Sequence, residues 1–174
     1  AKVKNRFIPD LTIKPEDFRI NNYDFDSNGF LNVKGNVYFS NKNLTKLPFK
    51  FGKVEGNFWC TGNNLTSLEG SPREVEESFD CCNNSLTSLK GAPEEVRGLF
   101  DCTGNNLTSL EGAPQKVGGN FDCYSNSLTS LKGAPKEVGG NFNCKYNKTK
   151  FTKEDVLKVC DVKGEIYVWE NYIK

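Results

Sequence analysis

Residues 96–116 read Val96-Arg-Gly-Leu-Phe100-Asp-Cys102-Thr-Gly-Asn105-Asn-Leu107-Thr-Ser-Leu110-Glu-Gly-Ala-Pro114-Gln-Lys116, and the same text recurs at a fixed offset of 21 residues on either side. Reading from Val54, four good copies follow without insertion, and a truncated fifth ends near Phe151. Phe58, Phe79, Phe100, Phe121 and Phe142 form one column, and Cys60, Cys81, Cys102, Cys123 and Cys144 form another. One period earlier, Val33, Val37, Phe39, Leu44, Leu47 and Pro48 make a weaker copy. Phe100 and Cys102 are two apart in a short extended segment, so both face one side, while Leu99, Asp101 and Thr103 face the other. So short a segment gains by burying one face only if an identical neighbour stacks on it. A unit of this length runs out, turns and returns one strand spacing away, about 4.8 Å. Each coil then contributes a Val, a Phe, a Cys and two Leu to a common interior.

Asn63, Asn84, Asn105, Asn126 and Asn147 form the polar column that such a coil requires. The chain turns sharply after the strand and leaves backbone groups pointing inward, and an amide can satisfy a donor and an acceptor on adjacent coils at once. Gly70, Gly91, Gly112 and Gly133, each ahead of a turn proline, are read as punctuation. The seven cysteines follow the repeat and not a metal-ligand spacing, so they are expected to be reduced packing residues. Cys82 is the exception: its parity puts it on the outer side as the one thiol expected to react, although with no His near it a structural role is the favoured reading.

The form Phe100-x-Cys102-x-x-Asn105-x-Leu107, followed by Leu110 and Pro114, resembles the leucine-rich repeat. Within that superfamily it more closely resembles a short bacterial and bacteriophage version, Leu-Thr-Ser-Leu-(Glu/Lys)-Gly-Ala-Pro-x-x-Val-Gly-Gly-x-Phe-x-Cys. A related unit occurs in bacterial ubiquitin-ligase effectors, but this chain has an extra residue between Val96 and Phe100, and their separate catalytic domain is not expected within its 174 residues. The resemblance implies a leucine-rich-repeat solenoid with a parallel β-sheet on the concave face, a turn-like or extended convex side, and a curved surface that binds another macromolecule, usually a protein. One domain is expected over 1–174, with an N-terminal cap at 1–32, the solenoid at 33–151 and a helix–strand cap at 152–174. Lys14-Pro15-Glu16-Asp17-Phe18 suits one helical turn, and Asn28-Gly29 between apolar alternations suits a hairpin. Thr152 with Asp155 makes a capping box ahead of Val156, and Glu165 to Trp169 suits a final strand.

Composition narrows the function. The 174 residues contain no histidine, which removes His-based acid–base pairs, Ser-His and Cys-His nucleophiles, and almost every catalytic zinc arrangement. No enzyme, metal or cofactor is expected. A formal charge of +1 gives no whole-molecule attraction to nucleic acid or to an anionic membrane. There is no apolar run long enough for a membrane span, and the first residues do not lead into a signal-peptide core. A cytoplasmic protein without its initiator Met is the expectation, in the host cytoplasm if the chain is phage-encoded. Residues 61–144 carry 6 basic and 11 acidic side chains, whereas 1–60 carry 10 and 6 and 145–174 carry 7 and 5. Glu69, Lys90, Glu111 and Lys132 alternate in sign down one column, which suits solubility and weak pairing between coils.

The outward positions of the strands are therefore the place to look for function. Their middle column reads Tyr38, Trp59, Asp80, Asp101, Asp122, Asn143, and its neighbours include Leu99, Tyr124 and Lys145. An acidic stripe rimmed by exposed aromatics is expected to bind a protein with a basic patch, since such rings are typical hot-spot residues. The alternatives are inherited polar filler, a structural or assembly component, and a nucleic-acid contact through basic ends. The last would use Lys2, Lys4 and Arg6, or Lys145, Lys148, Lys150 and Lys153. Asp80, Asp101 and Asp122 also offer oxygen ligands for a divalent cation, but adjacent coils of a flat face make a poor cage.

Overall fold

A computed structural model describes residues 13–169. After one 3-10 turn at Pro15–Phe18, the strands run in chain order β1 (Tyr23–Phe25), β2 (Leu31–Val33), β3 (Val37–Tyr38), β4 (Phe51–Val54) and β5 (Phe58–Trp59). The repeats follow with β6 (Glu74–Val75), β7 (Phe79–Asp80), β8 (Glu95–Val96), β9 (Phe100–Asp101), β10 (Lys116–Val117) and β11 (Phe121–Asp122). The chain closes with β12 (Glu137–Val138), β13 (Phe142–Asn143), helix α1 (Lys153–Leu157), β14 (Asp161–Val162) and β15 (Ile166–Tyr167). Two sheets result, one of eight strands in the order β1-β2-β4-β6-β8-β10-β12-β14 and one of seven in the order β15-β13-β11-β9-β7-β5-β3. All neighbours are parallel except the hairpin β1–β2, so the architecture is a β-solenoid.

Both sheets turn one face to a shared interior. Phe58, Phe79, Phe100, Phe121 and Phe142 are fully buried, as are Val54, Val96, Val117 and Val138. Successive phenylalanine rings lie 5.3 Å, 5.4 Å and 5.5 Å apart and within 7° of coplanar from Phe58 through Phe121. The two leucines of each unit, Leu107 and Leu110 for example, fill the rest of the coil. In the seven-stranded sheet Phe100 N–H donates to Asn120 O at 2.9 Å in the next coil, while beyond the other sheet Gly118 N–H donates back to Val96 O at 2.9 Å. Each coil is thus tied to both neighbours through the backbone.

The eight-stranded sheet departs from the expected single sheet: the opposite side, expected to be turn-like or extended, is itself hydrogen-bonded into a sheet. Its repeat strands are Glu-Val or Lys-Val pairs, only two residues long, with the valine buried. At that length no alternation is visible in the sequence, and flanking Pro and Gly give them the look of a turn.

The asparagine column is hydrogen-bonded as a ladder. Asn105 Nδ2 donates to Cys81 O and to Cys102 O, both at 3.1 Å, and its Oδ1 accepts from Leu86 N at 3.0 Å. Asn63, Asn84, Asn126 and Asn147 repeat the pattern. Gly112 has φ +91°, and a Cβ there would lie 2.4 Å from Lys90 N, so both handedness and the close approach of the previous coil demand glycine.

At the N-terminal end, Phe18 packs edge-on against Phe39 and Phe49 at 5.0 Å and 5.8 Å, and Ile20 is buried beside them. The β1–β2 hairpin turns through Asp26–Gly29, with Gly29 N–H donating to Asp26 O and Gly29 at φ +81°. At the other end, Thr152 Oγ1 accepts from Asp155 N while Thr152 N donates to Asp155 Oδ2, and α1 buries Val156. Inserting α1 lengthens the last coil, so that Phe142 pairs with Ile166. Residues 1–12 and 170–174, including Lys2, Lys4 and Arg6 and the outer parts of both expected caps, lie outside the described residues. No helix among the described residues is long and apolar enough to cross a membrane.

Candidate functional site

The outer face of the seven-stranded sheet brings the expected residues into one line. Tyr38 pairs with Trp59, Trp59 with Asp80, Asp80 with Asp101, Asp101 with Asp122, and Asp122 with Asn143. The three carboxylates therefore stand directly opposite one another, a like-charge arrangement that opposes folding. Asp80 Oδ1 accepts from Cys82 N at 2.9 Å and Asp101 Oδ1 from Thr103 N at 2.8 Å, so both also fasten the turn that follows their strand. Burial pushes the carboxyl pKa of Asp101 and of Asp122 upward; hydrogen bonding to Thr103 opposes it at Asp101, and hydrogen bonding to Asn143 at Asp122.

At one end of this acidic column Tyr38 and Trp59 are in ring contact at 4.9 Å. Tyr38 is exposed, but Trp59 is half-buried, contrary to its expected exposure, because Tyr38 lies against it. Leu99 is also half-buried, with its N–H donating to Ser78 Oγ at 3.1 Å and its carbonyl accepting from Phe79 N–H. At the other end Tyr124 is exposed and Lys145 is half-buried, with its ammonium 5.3 Å from the Tyr167 ring centroid.

Cys82 does not match a reactive surface thiol. It is half-buried, its Sγ lies 2.7 Å from Thr61 Oγ1, and burial pushes its pKa up to about 12. One ligand atom each from Asp80, Cys82 and Asp101 falls within 4.8 Å of the others. That set offers two carboxylate oxygens and a sulfur that is protonated at neutral pH, so a metal would have to displace the thiol proton.

Three aromatic residues of this face lie outside the expected set. Tyr146 contacts Tyr124 at 5.9 Å and Trp169 at 4.9 Å, and Tyr167 continues the Asp122–Asn143 column. Tyr146 keeps the 21-residue offset from Ser125, in a column of turn residues, whereas the signal of Tyr167 and Trp169 lay in shifting the register of the last coil by the three residues that α1 adds.

The geometry defines a parallel β-solenoid with an acidic, aromatic-flanked strand face. Comparison with known proteins finds no matching family model, no matching curated protein and no matching solved structure.

Proposed function

We propose that the chain is a non-catalytic interaction module of the short leucine-rich-repeat type, and that its strand face binds a protein partner presenting a basic patch. The observation that carries this reading is the in-register column Asp80, Asp101, Asp122 between Tyr38–Trp59 and Tyr124, which opposes folding and is matched by a cationic surface. The asparagine ladder supports the repeat type, because it satisfies inward-pointing backbone groups at the same place in each unit. The likeness to bacteriophage-type units extends the reading to a host-directed binder or inhibitor acting in the cytoplasm.

The test is affinity capture on immobilised wild-type and variant proteins, followed by calorimetric titration of the partner recovered. Asp101→Lys is expected to abolish capture, Trp59→Ala to weaken binding by about 2 kcal/mol, and Lys90→Glu, on another side of the coil, to change nothing. Retention of full affinity by Asp101→Lys and Trp59→Ala together would move the binding site off this face.

A further inference from the structure

The C-terminal end of the strand face differs in chemistry from the acidic column. Tyr124, Tyr146, Tyr167 and Trp169 are each between 38% and 57% exposed, and Tyr146 joins Tyr124 to Trp169 through edge-to-face contacts. Lys145 and Lys150 hold their ammonium groups 5.3 Å and 5.7 Å from the Tyr167 and Trp169 ring centroids. Lys148 is exposed on the same turn, and among the described residues none of these three lysines forms an ion pair. Two of the three cations thus lie beside rings, and none is paired with a carboxylate among the described residues.

A second observation singles out Tyr146. One residue in the bend that follows the strand is left-handed in five successive coils: Asn41, Gly62, Asn83, Gly104 and Ser125 have φ between +52° and +66°. These are small or side-chain-bonding residues that tolerate this conformation. Tyr146 sits at the same place with φ +54°, where a bulky ring is strained, and its ring is the most exposed of the four. Strain of this kind persists where the side chain has a use.

We infer that this end of the solenoid binds a short run of single-stranded nucleic acid, with bases against Tyr146 and Trp169 and phosphates on Lys148 and Lys150. Planar rings beside unpaired cations are the combination that single strands match, because each nucleotide brings a π-face and a negative charge together. A carboxylate-rich peptide would use the lysines but bring no aromatic face to the four rings. The neighbouring Asp122 repels phosphate and confines the footprint to the last coils. The inference stands independently of the protein-binding reading of the acidic column.

The test is fluorescence anisotropy with a short fluorescein-labelled oligothymidylate, read over a series of salt concentrations. Wild-type protein is expected to bind, Trp169→Ala to weaken binding about tenfold or more, and Lys150→Ala to lower the salt slope by about 0.7. Asp122→Asn is expected to tighten binding, whereas it should weaken a basic protein partner, which separates the two sites. Tyr146→Asn, which installs the residue found at Asn83, is expected to raise the midpoint of thermal unfolding while weakening oligonucleotide binding. Absence of binding, binding indifferent to Trp169 and Tyr146, or equal competition by polyglutamate at matched charge would each overturn the inference; the last would assign the surface to acidic peptides.

Discussion

Asp101 sits between Asp80 and Asp122 in three hydrogen-bonded strands, and its carboxylate has two opposing effects. One oxygen fastens the Thr103 turn, while the charge faces like charges on both sides and is partly withdrawn from water. An amide retains the first effect without the second, as Asn143 shows in the same column by accepting from Lys145 N at 3.3 Å. Asp101→Asn is therefore expected to stabilise the protein at pH 7 by about 0.5 to 1 kcal/mol, the scale for like charges directly opposed in a sheet. Because burial raises the folded carboxyl pKa above its ordinary value of 3.8, the destabilisation is present above the folded pKa and fades as the acid protonates. The advantage of the variant should shrink as pH falls through the folded pKa toward about 4; urea denaturation across that range measures it, and an advantage constant with pH would contradict the cause given. Side-chain parity, legible in the sequence, placed this carboxylate correctly. It did not reveal how far Trp59 and Cys82 sink into the surface, because that depends on Tyr38 and Thr61 in the preceding coil.

The coil is the element that recurs, and the phenylalanine stack joins each coil to the next. Phe100 lies between Phe79 and Phe121 with parallel rings on both sides. Phe100→Ala opens a gap that neither neighbour can close without leaving its own strand, and the expected loss is roughly 3 to 5 kcal/mol by equilibrium unfolding. A loss below about 1 kcal/mol would show that the stack does not hold the coils together. This ladder, the asparagine column and the Thr152–Asp155 capping box were all readable from spacing, since each rests on contacts one coil apart or closer. The valines were also placed inside from their spacing, but the second sheet that carries them was not, because two-residue strands show no period of their own. Nor was the aromatic cluster at the end, because α1 shifts Tyr167 and Trp169 out of the 21-residue frame.

For the whole molecule, the columns run the length of the solenoid and set its chemical behaviour. All seven cysteines are free, and all but Cys82 are buried. Cys81, Cys102 and Cys123 each direct Sγ at a carbonyl of the next coil at 3.3 Å, and burial raises their pKa well above the ordinary thiol value. Burial likewise pushes Cys144 up to about 12 and Cys160 to about 11. A thiol reagent at pH 8 is thus expected to leave the native protein unmodified and to count seven thiols after unfolding; rapid labelling of the native state would contradict the buried ladder. The charges outside the coils follow a longer rule. Glu69, Lys90, Glu111 and Lys132 make a column whose sign reverses at every step; Glu111 pairs with Lys132 at 2.6 Å, and Glu69 at the other end reaches Lys50 of the preceding coil at 3.8 Å. Excising one coil, that of Lys90, would set Glu69 against Glu111, whereas excising two adjacent coils would set Glu69 against Lys132. Along this column, a change of length in whole coils keeps opposite charges adjacent only when an even number of coils is gained or lost.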